Sequence, residues 1–293
     1  MQLRQAMKEE DGERGVTTGV TPPAAEQDPA VRGSKVWSKV RAVAFNLLSL
    51  IVVLLIWEVM AERANSPYFP APLHILAAFV QLLQQGDILG NSLWTHINAS
   101  VYRLLVGFGL GVALGVPLGL LMGLYKNLYV SMRAVIEPFR FIPPIAWIPL
   151  AIIFFSGIGR YAFLIFLGAF FPVFTATLVG VGRVEPIHRK VFQVYGAGKF
   201  YILRRVVFPT VLPDILGGMR VGLGTAWMTI VAAELTGGEP IGLGRMMVNY
   251  SELLRIPEVV VAMILIGAIG FILNEALLLA EKILFRWRWQ VSL

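Results

Sequence analysis

The sequence predicts an all-α polytopic membrane protein with about six transmembrane helices, and three observations predict it. The first is composition: of 293 residues, 57% are hydrophobic and only 15% charged, against about 25% charged in ordinary soluble domains. The second is a set of apolar runs that reach the ~20 residues a helix needs to cross a bilayer core. The third is the placing of Lys and Arg, which gather at the edges of these runs and mostly in alternate connections. A net charge of +7 and a pI of about 9.8 therefore speak for anionic lipid and helix orientation rather than nucleic acid.

Taken in order, residues 1–34 are polar, with Glu9, Glu10, Asp11 and Glu13 in one cluster and Pro22 and Pro23 further on. Such a stretch cannot bury a core and is expected to be a flexible cytoplasmic tail, ahead of one membrane domain over residues 35–293. It adjoins no short apolar core with a small-residue cleavage site, so a cleaved signal peptide is not expected. Six spans follow, near Val43–Met60, Ala99–Leu124, Leu128–Phe155, Tyr161–Gly182, Asp214–Leu235 and Pro257–Ala280. Two amphipathic segments, Pro72–Gln85 and Leu243–Leu254, are expected to lie at the outer surface.

Orientation comes from the cations. With the N-terminus inside, the inner connections hold Lys35, Lys39, Arg41, Lys126, Arg183, Arg189, Lys190, Lys199, Arg204, Arg205, Lys282, Arg286 and Arg288, and the outer ones only Arg63, Arg160, Arg245 and Arg255. Positive charge is retained on the cytoplasmic side, so both termini are expected there. Cysteine is absent, which excludes disulfides and thiolate metal sites. His74, His96 and His188 are scattered with no ligand-spaced neighbour, and no metal site is expected.

One inner connection, Arg183–Pro213, is long and basic yet keeps apolar residues at helical spacing: Val191, Val194, Tyr195, then Ile202, Leu203, Val206 and Val207. A passive loop would be short or unstructured. This one predicts a helix, a glycine break at Gly196–Gly198, and a second helix stopped by Pro209. An ordered amphipathic element outside the bilayer calls for a protein partner.

Within the spans, Gly107, Gly111, Gly115, Gly119 and Gly123 recur every four residues. They form a small-residue stripe that lets helix backbones approach closely, either inside one subunit, across a dimer contact or as a sliding surface. Pro143, Pro144 and Pro149 interrupt the third span and predict a kink, with freed carbonyls tolerated where protein or a water-filled cavity satisfies them. Arg140 stands seven residues from Trp147. It either attracts an anionic substrate, as intramembrane charge suggests, or pairs with Glu137 or reaches the interface. Arg133 and Glu137 have the i, i+4 spacing of a helical ion pair. Glu58, Arg103, Arg220 and Glu234 are further charges in or near spans, Glu234 either gating the outer mouth or meeting headgroups. With Thr229, the residues Arg140, Pro143, Pro144, Trp147 and Glu234 make up the candidate translocation pathway and gate.

No pair of carboxylates is spaced for acid–base catalysis and no nucleophile elbow occurs, so no enzyme is expected. The fragment Gly196-Ala197-Gly198-Lys199 is not a phosphate loop. That loop needs Gly-x-x-x-x-Gly-Lys-Ser/Thr, and here Gln193 and Phe200 stand at its ends.

The run Lys190-Val191-Phe192, three residues, Gly196, nine residues, Val206-x-Phe208-Pro209 resembles the EAA loop of ATP-binding-cassette importer permeases. That pattern reads Glu-Ala-Ala, three residues, Gly, nine residues, Ile-x-Leu-Pro; Lys190, Val191 and Phe192 depart from its front. The segments Arg140–Leu150, Leu212–Arg220, Ala232-Ala233-Glu234-Leu235 and Ser100-x-x-Arg103 resemble the nitrate, sulfonate, taurine and bicarbonate branch of those permeases. The likeness covers roughly residues 43–285.

The resemblance implies a type I ABC importer permease (MetI-like) fold in the bacterial inner membrane, usually as a homodimer. It implies two partner ATPase subunits that hold ATP and Mg, with no cofactor on this chain, and an extracytoplasmic binding protein that delivers a small anion. It also implies a coupling role for Lys190, Val191, Phe192, Tyr195, Gly196, Ala197, Gly198, Ile202, Val206, Phe208 and Pro209. The alternative is a secondary transporter driven by an ion gradient, which would want paired broken helices and midplane carboxylates.

Overall fold

The computed structural model describes residues 29–236 and 238–284, which lie in helices and their connections with no strand among them. Of the described residues, those up to Ile56 form one compact unit and those from Trp57 onward another. Residues 1–28 of the tail expected over 1–34, and the cations Arg286 and Arg288, lie outside the described residues.

The first helix, α1 (Pro29–Ala64), begins inside the segment assigned to the tail. Proline at a helix start costs nothing, because its missing N–H would have no partner there. The apolar stretch Ala44–Ala64 is long enough to cross a membrane, and Leu47, Leu48, Leu50, Ile51 and Leu55 are exposed. The second, α2 (Pro72–Gln85), keeps the predicted bounds. It ends at Gly86, whose φ of +78° and tight approach to the Asn91 carbonyl admit only glycine.

The third helix, α3 (Leu93–Leu124), starts six residues before the predicted Ala99, because Ser92 caps it by accepting from the Thr95 N–H at 3.3 Å. The predicted single span Leu128–Phe155 is corrected. It is two helices, α4 (Lys126–Phe141) and α5 (Ile148–Phe154), joined by a 3-10 turn at Pro144–Trp147 and bent by 90°. A residue before proline is pushed out of the helical region. With prolines at 143 and 144, both Ile142 (ψ 115°) and Pro143 (ψ 139°) are extended, which makes a corner rather than a kink.

Next come α6 (Ile158–Arg183) and the short α7 (Pro186–Val194). The helix after it, α8 (Lys199–Thr236), corrects the expected stop at Pro209, because it runs on through a π turn at Leu203–Val207. The widened turn absorbs the proline, and the Thr210 hydroxyl donates to the Val206 carbonyl at 2.7 Å. Proline inside a helix costs roughly 3 kcal/mol. Burial of Ile202, Val206, Val207, Val211 and Ile215 against Val181 and Val184 returns about 1.5–3 kcal/mol for each large aliphatic side chain, so the helix continues. Last are α9 (Leu243–Glu252) and α10 (Ile256–Leu284).

The centre is a row of three helices with α6 in the middle. The glycine stripe of α3 faces α6 step for step. A Cβ on Gly107, Gly111, Gly119 or Gly123 would lie 2.5–2.7 Å from the Cβ of Ile165, Ala169, Thr177 or Val181 respectively, while one on Gly115 would touch Val173 and Phe170. Both series of numbers rise together, so α3 and α6 run parallel. The stripe thus serves packing within one chain. On its other side α6 packs antiparallel to α8, Gly168 by Ala226 and Gly180 by Val211. Parallel neighbours need a connection that returns the chain to its starting end, and the bent pair α4–α5 supplies it. Among the described residues five helices are long and apolar enough to span a membrane, and the bent pair, taken as one span, makes six.

Candidate functional site: an exposed helix-turn and a buried polar clamp

The α6–α8 connection forms a protruding helix-turn at one end of the row. Gly196 has φ +79° with open space around it, so it is glycine for its backbone and not for room. The Ala197 N–H donates to the Phe192 carbonyl at 3.0 Å and the Gly196 N–H to the Gln193 carbonyl at 2.9 Å, the paired bonds of a Schellman stop. The Phe192 and Tyr201 rings, 6.3 Å apart, join the two legs.

The structure divides the predicted coupling residues. Val194 and Tyr195 are 84% and 85% exposed and Phe200 is 74% exposed, and Lys190, Val191, Phe192, Gly196, Gly198, Phe208 and Pro209 are exposed too. Ile202 and Val206 are buried within the chain, in a cluster that Ala197 also touches. The free face therefore belongs to α7 and the turn after it, and Ile202 and Val206 form the brace behind. Apolar side chains are interleaved there with Lys190, Lys199, Arg204 and Arg205, and an exposed apolar patch of this kind marks an interaction surface.

At the corner, Trp147 stacks on Phe139 with ring centroids 5.8 Å apart and meets Phe163 edge-on. Arg140 is exposed with its guanidinium 5.2 Å from the centre of the Phe141 ring. Glu137 is taken by Arg133 at 2.9 Å and the Tyr129 hydroxyl at 3.2 Å. Arg140, Pro143, Pro144 and Trp147 thus share one elbow. Thr229 is buried on α8 and donates to its own helix, at the Thr225 carbonyl, over 2.7 Å.

Glu234 is not at a surface: it is 1% exposed at the far end of α8 from α7. Its oxygens accept from the Ser100 hydroxyl at 2.9 Å, from Arg103 Nη1 at 2.8 Å and from the Gly244 N–H at 3.0 Å. The same Arg103 nitrogen donates to the Ile241 carbonyl at 2.7 Å, and the guanidinium lies 4.3 Å from the centre of the Tyr161 ring. The Leu243 N–H donates to the Ser100 oxygen at 3.0 Å.

His96 Nδ1 faces both backbone groups of Gly242, the carbonyl at 3.0 Å and the N–H at 3.1 Å, while its Nε2 meets Asp87 at 3.0 Å. Asp87 in turn holds the Leu89 and Asn91 N–H groups. Four consecutive residues, Ile241–Gly244, are therefore gripped by their backbones. Three of the grips, His96, Ser100 and Arg103, have the i, i+4, i+7 spacing of one face of α3.

The sequence presents Ser100-x-x-Arg103 and Glu234 as parts of separate motifs and His96 as an ordinary side chain. The polar i, i+4, i+7 pattern at the head of an apolar helix is the signal that could have joined them. Beside the clamp, a cleft of about 220 Å³ is lined by Asp87, Tyr250, Arg255 and Glu258. Burial raises the pKa of Tyr250 above its ordinary value, so its hydroxyl stays neutral. Among the described residues no group of three or more His, Cys, Asp or Glu converges as metal ligands would.

Comparison with known proteins agrees with this architecture. The taurine transport system permease protein TauC of Escherichia coli (strain K12) is 34% identical over 260 residues, 87% of this chain and 94% of that one. The nitrate import permease protein NrtB of Synechocystis sp. is 30% identical over 242 residues, 80% of this chain and 87% of that one. A solved structure of the MetNI methionine ABC transporter in inward-facing conformations shares the fold, with a TM-score of 0.50 and 20% identity over 63% of this chain and 96% of that one. Residues 115–289, more than half of the chain, match the family described as the binding-protein-dependent transport system inner membrane component. The protein belongs to that family and is an ABC transporter permease.

Proposed function

We propose that this permease carries a small oxyanion or sulfonate-type anion into the cell, delivered by an extracytoplasmic binding protein and driven by separate ATPase subunits that dock on α7. The observation that carries the coupling role is the exposed face of Val191, Val194, Tyr195 and Phe200, held rigid by the Gly196 stop and backed by buried Ile202 and Val206. A push on α7 reaches α6 and α8 directly, because the brace contains Val181 and Val184 from one side and Val207 and Val211 from the other. Nucleotide and its Mg sit on the partner; this chain contributes the docking face and the path.

Orientation follows from charge. The α7 end holds Lys126, Arg183, Lys190, Lys199, Arg204, Arg205 and Lys282, and the clamp end, besides the buried Arg103 paired with Glu234, only Arg63, Arg160, Arg245 and Arg255. The α7 end is therefore cytoplasmic by the positive-inside rule, and both termini lie on that side. The pathway forms where two copies of the chain meet, with the elbow of Arg140, Pro143, Pro144 and Trp147 beside it. The anionic substrate class is supported by the names of the taurine and nitrate relatives and by the cation at the elbow.

The test is reconstitution of the permease with its ATPase and binding protein in proteoliposomes. Wild type is expected to take up the anion bound by that binding protein only when ATP is supplied. Val194→Asp with Tyr195→Asp is expected to lose co-purifying ATPase and at least tenfold in uptake. Full uptake by that double variant contradicts the coupling role, and uptake without ATP contradicts the transport class.

A further inference from the structure

Below its first three turns, α3 meets α6 through glycines set against Cβ atoms. Such contact is close and apolar, each notch of the glycine row taking a side-chain Cβ of α6, so the two helices are held there by packing. The polar ties of α3 are concentrated at its head, where His96, Ser100 and Arg103 hold the strap Ile241–Gly244, and where Ser100 and Arg103 also hold Glu234 of α8. The strap cannot shift without breaking several of these at once. Gly242 is wedged so tightly that a Cβ there would lie 2.5 Å from the Glu234 carboxyl carbon, and its φ is +153°. Meanwhile α8 is one continuous helix from Lys199, next to the α7 turn, to Thr236 beside the clamp, a rod of about 57 Å at 1.5 Å per residue.

We propose that Ser100 and Arg103, acting on Glu234 and the strap backbone, are positioning residues for transport. They key the outer end of α3 to the outer end of α8, so that a displacement applied to α8 at the α7 end moves both helices, and α9 with them, as one body. The proposal rests on the coupling role given above. Without the key, movement of α8 would reach α3 and the strap only through packing and the remaining ties, and part of it would be spent without opening the outer end. ATP would then be hydrolysed with little transport, a failure different from misfolding or from loss of the ATPase.

The experiment uses the complete reconstituted importer and measures assembled complex, basal ATPase, stimulation by loaded binding protein, and uptake per ATP hydrolysed. Ser100→Ala removes one hydroxyl that both donates to Glu234 and accepts from Leu243, and Arg103→Gln removes the charge while leaving a polar group. Ser100→Ala is expected to assemble and to keep basal ATPase within about twofold, while uptake per ATP falls at least fivefold. Arg103→Gln, which leaves the Glu234 carboxylate without its cation, is expected to assemble in smaller amount with the same fall in uptake per ATP. Ser100→Thr, which retains the hydroxyl, is expected to recover at least half of the uptake per ATP lost in Ser100→Ala.

A purely structural role would lower the amount of complex and leave uptake per ATP unchanged, and that result overturns the proposal. If Arg103→Gln does not assemble, Ser100→Ala and its threonine partner decide alone. Absence of ATP-dependent uptake in wild type would instead overturn the underlying coupling role, and is read from the same assay before any variant is considered.

Discussion

Glu234 illustrates how a charge is kept inside an apolar bundle. Its carboxylate is 1% exposed and accepts from a hydroxyl, a guanidinium and a backbone N–H. Taking a charge out of water is repaid only when such partners are complete. Removing the carboxylate or the guanidinium leaves the other charge buried and alone, which typically costs ~3–5 kcal/mol. Glu234→Ala, stranding Arg103, is therefore expected to lower the thermal midpoint of the purified permease sharply. Arg133→Ala, which breaks an exposed pair with Glu137, is expected to leave it nearly unchanged. An equal effect of the two in a thermal-shift measurement contradicts the placing of Glu234.

The presence of Glu234, Ser100 and Arg103 as unusual charges and hydroxyls is legible in the sequence, but their meeting is not. Ser100 and Glu234 are 134 residues apart, and periodicity reports only which side of a helix a residue takes. His96 escapes notice for the same reason, since its partners Asp87 and Gly242 lie in connections that carry no periodic signal.

Among the elements, the α7 turn and the head of α8 separate docking from bracing. Val194 is exposed and Ile202 is 6% exposed. Ile202→Ala leaves a cavity and is expected to cost about 2–5 kcal/mol of stability. Val194→Asp is expected to leave stability alone while ATPase association falls. Opposite assignments, read from thermal unfolding and co-purification, contradict the division. Gly196→Ala forces a side chain into a left-handed conformation, at roughly 1–2 kcal/mol, and is expected to loosen the turn and reduce uptake.

The amphipathic periods of both helices are legible in the amino-acid order, as is the glycine break between them. Which apolar stripe faces outward is not. A 3.6-residue period shows that Ile202 and Val206 share a face but not whether the chain itself covers it. The stop expected at Pro209 fails because local propensity is outweighed by the burial of the valines and isoleucines packed around it, from Val181 to Ile215.

For the whole molecule, the parallel run of α3 beside α6 fixes the path. It demands a return through α4 and α5, so a bent pair that is poor as a single apolar helix still carries the chain across. The number of spans is legible from apolar length. The 90° corner is not, since two adjacent prolines announce a break without its angle. The absence of cysteine makes orientation directly measurable. Cysteines introduced at Val194 and at Leu253 are expected to react with impermeant thiol reagents from opposite sides of the membrane, Val194 from the cytoplasm. Labelling of both from one side contradicts the two-ended arrangement.

The most direct measurement is site-specific cross-linking from the α7 turn in the intact, working importer, with Val194→Cys as the only thiol of the chain and a short heterobifunctional reagent. The predicted product is an adduct with the ATPase subunit, formed in proportion to assembled complex. Adducts only with lipid or with the extracytoplasmic binding protein, in a preparation that still shows ATP-driven uptake, would contradict it.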